Sequence, residues 1–196
     1  MRMHLSINLS NSKFIIMKTL LLAIATIFTF AASAQVKKVS IQATGLTCSM
    51  CSNSINKALK SLDFVDKVDA NIQNSTFDIY FKPNATVDFD KLKKKVEDAG
   101  FFVAAFSATI HFNNIAISNN EHVIINGTTY HFLNVKDQTL NGDETIHIID
   151  KGYVTTKEYK KNASFTTLDC YKTGVAGSCC PKDGLVKGSR IYHVTI

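Results

Sequence analysis

From residue 35 onward the apolar positions change period several times, and each change marks an element. Val39, Ile41 and Ala43 alternate with polar residues, the pattern of a half-buried strand. Ile55, Ala58, Leu59 and Leu62 then recur at i, i+3, i+4 and i+7, one face of a helix. Val68, Ala70 and Ile72 return to alternation, "QNST" (Gln73 to Thr76) reads as a turn, and Phe77, Ile79 and Phe81 alternate until Pro83 stops the strand. Phe89, Leu92, Val96 and Ala99 form a second helical stripe, with Asp88 as its cap and Gly100 at its end. Phe101 to Phe106 is a further apolar strand. The order βαββαβ in roughly 70 residues predicts the split-βαβ ferredoxin-like sandwich, two helices on one face of a four-stranded antiparallel sheet.

Beyond residue 107 the pattern is one of short strands. "ATIHFNNIAI", "EHVIINGTTYHFLNV" and "ETIHIIDKGYV" are strand-like, and Asn126-Gly127 is a hairpin signal. "TTKEYKKNA" predicts a short helix from about Thr155 to Ala163, and "RIYHVTI" closes the chain as a strand. Strands, one helix and a final strand predict a small, mainly β domain, a Greek-key barrel of OB type. The expected fold class is therefore α+β, with a ferredoxin-like domain at 35–107 and an OB-like domain at 108–196.

The first 34 of the 196 residues have another layout. Met17-Lys18 is a short basic start, "TLLLAIATIFTFAA" is an uncharged run, and Ala32-Ser33-Ala34 is a small-residue cleavage site, together a secretory signal peptide. Met17 reads as the true start, with residues 1–16 as an overrun or an extended leader. The apolar run is shorter than the roughly 20 residues of a membrane span, so no integral membrane segment is expected after cleavage. A secreted or periplasmic location follows. Cleavage removes Arg2, Lys13 and Lys18 and no acid, so the formal net charge of +6 falls to +3. That is too weak to point to nucleic acid, and no basic stripe interleaved with aromatics is present.

All five cysteines lie beyond the leader, where disulfides are permitted, and an odd count leaves one thiol over. Cys48 and Cys51, in "GLTCSMC" (45–51), fall between the first strand and the first helix. Cys51 lies in the first helical turn, where unpaired backbone N–H groups and the helix dipole favour thiolate. Two thiolates on a partly exposed loop, with no histidine or carboxylate beside them, make a soft site of low coordination. It suits Cu(I), with Hg(II) or Ag(I) as mimics; Zn(II) fits less well, since structural zinc takes four ligands. A dithiol–disulfide couple and a structural disulfide are the competing readings of the same pair.

"GLTCSMC" after a first strand and "EDAGF" (97–101) after the second helix resemble the heavy-metal-associated domain, whose members include copper chaperones, the N-terminal modules of copper-transporting P-type ATPases and the periplasmic mercury-binding protein. The resemblance covers residues 36–107. It implies that Cys48 and Cys51 are the metal ligands and that Phe101 packs under the metal loop. Gly45, Leu46, Thr47 and Met50 would support that loop. Leu46 stands where the family usually has Met, an apolar exchange the loop should tolerate. Met50 either lends a thioether or simply faces solvent. Lys57 and Lys60 on the first helix either steer an acidic partner or form an ordinary solvated face. The expected function is that of an exported Cu(I) chaperone or scavenger, not an enzyme. It would exchange metal with a P-type ATPase or another envelope copper protein; a thiol–disulfide protein and an Hg(II) scavenger are the alternatives.

Cys170, Cys179 and Cys180 lie in the Gly- and Ser-bearing stretch "LDCYKTGVAGSCCPKDG". They read as a disulfide from Cys170 to one of the pair, as a second soft-metal site, or as thiols paired between molecules. All five histidines beyond residue 107 follow the leader-free region 35–106, which has none. His111, His131, His147 and His193 sit in strand-like runs and, by alternation, should mostly face outward, where a cluster on one barrel face would be able to bind Cu(II) or Zn(II).

Overall fold

The computed structural model describes residues 35–46, 49–178, 180 and 185–196. The leader lies outside them, as do Thr47, Cys48 and Cys179. The elements run β1 (Val36–Thr44), α1 (Ser49–Lys60), β2 (Val65–Asn71), β3 (Thr76–Phe81), α2 (Phe89–Asp98), β4 (Phe102–Ile117), β5 (Glu121–Ile125), β6 (Thr128–Phe132), β7 (Gln138–Ile148), α3 (Thr156–Asn162), α4 (Cys170–Thr173) and β8 (Ile191–Thr195). A 3-10 turn at Ala163–Phe165 follows α3.

The βαββα order expected of the first half is present, and β1 pairs with β3 and β4 on either side. Ile55 and Leu59 of α1 and Phe89, Leu92 and Val96 of α2 are buried in one core with Val39, Ile41, Phe77 and Ile79. The helix limits follow the expected chemistry. The carboxylate of Asp88 accepts from the Lys91 N–H at 2.9 Å, and Gly100 turns the chain after α2 at φ +88. Strand β2 departs from simple alternation. Val65 and Val68 are its buried residues, three apart, while Ala70 is exposed and Ile72 is 59% exposed. A bulge between Val65 and Lys67 shifts the register, and β2 is an edge strand whose far end the helices leave open.

The second half does not form the expected OB-like barrel. Its strands extend the first sheet, giving one eight-stranded sheet in the order β2-β3-β1-β4-β7-β8-β6-β5. The reason lies in β4. It runs for 16 residues, straight through the compositional boundary at 107, pairing with β1 along its first part and with β7 along its second. A strand so long offers a ready edge, so β7 adds to it and the sheet grows sideways instead of curling. The Asn126-Gly127 hairpin is present, with both residues at positive φ between β5 and β6. Helix α3 begins as expected: Thr155 Oγ1 accepts from the Glu158 N–H as an N-cap and donates its own proton to the Glu158 carboxylate.

Strands β6 and β8 are parallel neighbours and lack alternation altogether: Thr129 to Phe132 and Ile191 to Val194 are all buried. Tyr130, Phe132, Tyr192 and Val194 face the main core, while Ile191 joins Cys170, Ala176 and Cys180 in a smaller cluster. Both faces of these strands are therefore covered, as is usual for parallel pairs.

Candidate metal centre

The loop between β1 and α1 enters through Gly45, at φ +83, a backbone that glycine adopts without strain. A Cβ placed on Gly45 would lie 3.9 Å from the Phe101 ring, so the ring lies beside the start of the loop. Leu46 and Phe101 both pack against the main core. Cys51 is half-buried in the first turn of α1, and Met50 beside it is 79% exposed. That exposure suits a solvent-facing side chain. No acidic residue lies in this first turn to oppose a thiolate. Cys48 and Thr47 lie outside the described residues. Lys57 and Lys60 are in the last turn of α1, at the opposite end of the helix from Cys51, where cations complement the helix dipole.

A second group of donor side chains lies on the far part of the sheet. His122 on β5, His131 on β6 and His193 on β8 are register partners across three adjacent strands. Their rings are in contact, His122 stacked on His131 at 4.1 Å between centroids and His131 edge-on to His193 at 5.0 Å. Cys170, the first residue of α4, brings its sulfur to 3.7 Å from His122 Nε2 and 3.9 Å from His131 Nδ1. Cys180 Sγ is 3.9 Å from His122 Nε2. His131, His193 and Cys170 are each fully buried, and Cys180 nearly so.

The protonation of this group follows from its neighbours. Burial, reinforced by His122 and His193, pushes His131 down to about 3, so its ring is neutral at ordinary pH. His131 Nε2 lies 3.1 Å from Asn120 Oδ1, an acceptor, so Nε2 carries the proton and Nδ1 presents a lone pair toward Cys170. His193 Nδ1 donates to Asp150 Oδ1 at 2.6 Å, and its buried Nε2 has no hydrogen-bond partner among the described residues.

Asp150 is 4% exposed and connects this group to the first half of the chain. Arg190 Nη2 donates to Asp150 Oδ2 at 2.9 Å, and Arg190 Nε donates to Asp90 Oδ2 of α2 at 2.9 Å. Tyr153 and Tyr192 hydroxyls also donate to Asp90, at 2.6 and 3.0 Å. Burial alone would raise the Asp90 carboxyl, but these donors outweigh it and hold the group below its ordinary value.

Of the three cysteines expected to act together near the chain's end, the structure brings Cys170 and Cys180 to the same side chain, His122, with the three donor atoms within 4.8 Å of one another; Cys179 lies outside the described residues. His111 and His147 are exposed as expected, His111 paired with Asp143 at 2.6 Å. His131 and His193 are buried, against expectation, because β6 and β8 are covered on both faces. Sequence reasoning missed Asp90, Asp150 and Arg190. No local pattern signals them; the tracts rich in buried residues around His131 and His193 were the available hint.

The elements define a βαββαβ domain, with Cys51 at the start of α1, extended by further strands. The heavy-metal-associated domain matches residues 40–102. The mercuric transport protein periplasmic component of Pseudomonas fluorescens is 35% identical over 86 residues, covering 43% of this chain and 93% of that protein. The copper-transporting ATPase RAN1 of Arabidopsis thaliana is 37% identical over 65 residues, covering 33% of this chain and 6% of that protein. The probable copper-exporting P-type ATPase of Archaeoglobus fulgidus is 35% identical over 71 residues, covering 36% of this chain and 9% of that protein. The chain thus spans less than a tenth of these two ATPases. Oxidized MerP from Ralstonia metallidurans CH34 aligns at 28% identity and a TM-score of 0.33, over 36% of this chain and 96% of that one. The chain belongs to the heavy-metal-associated family. The match ends where β4 begins, so nearly all of β4 and everything after it lies beyond it.

Proposed function

We propose that this protein binds Cu(I) as cargo through Cys48 and Cys51 and passes it to a partner by thiolate exchange, outside the cytoplasm. The observation that carries the reading is Cys51 in the first turn of α1, in the "GLTCSMC" loop of a heavy-metal-associated domain. A thiolate there is favoured by the helix N-terminus and remains partly accessible, so a partner's thiolate can join a two-coordinate ion before the first ligand leaves. The ion is never released to water, and tight binding is compatible with fast transfer. The partner class is a copper-transporting P-type ATPase or another envelope copper protein. The secretory-type leader supports export. Among the described residues no helix is long and apolar enough to cross a membrane. The protein acts as a carrier, not an enzyme.

A second reading, Hg(II) capture, is favoured by the match to nearly the full length of a periplasmic mercuric transport component. Both ions are soft and thiophilic, so ligand type does not separate them. The test is a competition titration of reduced protein against a chromophoric Cu(I) chelator, with a parallel Hg(II) arm. One tight Cu(I) equivalent lost in Cys48→Ser/Cys51→Ser supports the copper reading. Binding of Hg(II) alone favours the second, and loss of neither ion on removing both cysteines overturns both.

A further inference from the structure

The histidine row on β5, β6 and β8 meets two cysteines from the segment that covers it, and nothing in the Cys48/Cys51 reading uses these groups. Among the described residues two sets of three donors are present. One is His122, Cys170 and Cys180; the other is His131, Cys170 and His193; within each set the donor atoms lie within 4.8 Å of one another. Cys170 belongs to both. The match to the heavy-metal-associated domain ends at residue 102, so the residues concerned lie outside the family's own metal loop.

Geometry gives the first argument. A d10 ion bonded at about 2.0 Å to nitrogen and about 2.3 Å to sulfur holds the two donors roughly 3.5–3.7 Å apart, for angles between tetrahedral and trigonal. In the set of His131, Cys170 and His193, the Cys170 sulfur lies 3.9 Å from His131 Nδ1, and all three donor atoms lie within 4.8 Å of one another. In the other set, His122 Nε2 lies 3.7 and 3.9 Å from the Cys170 and Cys180 sulfurs. These nitrogen–sulfur separations need to close by a few tenths of an ångström around an ion. Buried polar atoms are almost always satisfied, yet His193 Nε2 is buried without a hydrogen-bond partner among the described residues. Its other nitrogen is held by the Asp150 carboxylate, the arrangement that fixes a ligating histidine's tautomer and ring orientation and raises its basicity. His131 is held likewise by Asn120.

Charge and coordination number select the ion. His131, Cys170 and His193 are fully buried, where a net charge is costly. One thiolate and two neutral imidazoles around Cu(I) sum to zero. Structural zinc takes four ligands, whereas the described donors form two sets of three with one shared member. Thiolate and imidazole together suit copper.

We propose that Cys170, with His131 and His193, forms a buried thiolate–imidazole site that binds one Cu(I) ion independently of the Cys48/Cys51 loop, with His122 and Cys180 as adjoining donors. An ion entering past half-buried His122 would meet Cys180 and Cys170 first, and the shared Cys170 sulfur would carry it to the deeper set.

The test uses the full chain, reduced and kept from oxygen, in the Cys48→Ser/Cys51→Ser background. Competition against a chromophoric Cu(I) chelator should show one tight equivalent retained. X-ray absorption at the copper edge should show mixed nitrogen and sulfur ligation, at about 2.0 and about 2.3 Å. Adding Cys170→Ser should abolish that equivalent, with circular dichroism reporting whether the variant folds. No tight copper in the Cys48→Ser/Cys51→Ser protein overturns the proposal, as does an all-sulfur shell or preference for Zn(II) over Cu(I). These outcomes hold whether or not Cys170→Ser folds. The two readings fail separately. Wild type with a single equivalent, lost with Cys48 and Cys51 alone, removes this site and leaves the loop. A single equivalent lost only with Cys170 removes the loop and leaves this site.

Discussion

Replacing Arg190 with alanine tests the contacts that bind the two halves of the sheet together. The guanidinium donates to Asp150 on one side, to Asp90 on the other and to the Gly174 carbonyl, and lies 4.1 Å over the Tyr192 ring. The two carboxylates should respond unequally. The Asp90 side chain is 44% exposed, so water can replace its lost partner, a change worth at most about 1 kcal/mol. The Asp150 side chain is only 6% exposed, and its charge would be left buried with imidazole and backbone N–H donors alone. Removing one member of a buried pair costs about 3–5 kcal/mol, so the total should be near 4 kcal/mol, most of it from Asp150. For a chain of this size that lowers Tm by roughly 8–16 °C. Urea unfolding of the metal-free protein would measure it. The mechanism also requires non-additivity: Asp150→Asn in the Arg190→Ala background removes the stranded charge and should recover part of the loss. An Arg190→Ala cost of no more than about 1 kcal/mol, or a double variant as unstable as the two single losses added, would refute the reasoning.

Three further outcomes are expected. Asp90 is held below its ordinary value near 3.8, so as pH falls the unfolded chain takes up that proton first. Its stabilising contribution is complete above that value and lost as pH drops through the folded one; Asp90→Asn should flatten the acid limb of the stability–pH curve. Tyr153→Phe removes a 2.6 Å hydrogen bond to the Asp90 carboxylate and should cost about 1.5–3 kcal/mol in denaturant unfolding. Leu92→Ala empties a fully buried position between α2 and the sheet and should cost about 2–5 kcal/mol, read in the same way.

Periodicity carried the first half well because its elements pair locally and each has one buried face. The stripes on α1 and α2, the Asp88 cap and the turn at Gly100 were all legible. The second half was less so for physical reasons. His131 and His193 are 62 positions apart in sequence yet adjacent through a parallel pairing, and no local pattern encodes such a register. Burial on both faces removed the alternation from which an outward histidine was inferred. The hairpin at Asn126-Gly127 and the capped helix at Thr155 were readable because turn and cap chemistry is local. Asp90, Asp150 and Arg190 could not be found that way, since their meaning lies in contacts between distant segments. At the candidate metal loop the motif pointed to Cys48 and Cys51, and the structure adds the partial accessibility of Cys51 and the ring beside Gly45.

The length of β4 bears on how the protein could be divided. Cutting the chain at residue 107, where composition changes, would sever a continuous strand six residues from its start. The excised first half would keep the loop between β1 and α1, but Val36, Lys38 and Val39 of β1 would lose their partners Ile110, Thr109 and Ala108, and that side of β1 would present unsatisfied backbone groups to solvent. Such an edge recruits other strands, including those of identical fragments. A fragment prepared for metal titration would therefore tend to self-associate, and its apparent stoichiometry would depend on protein concentration.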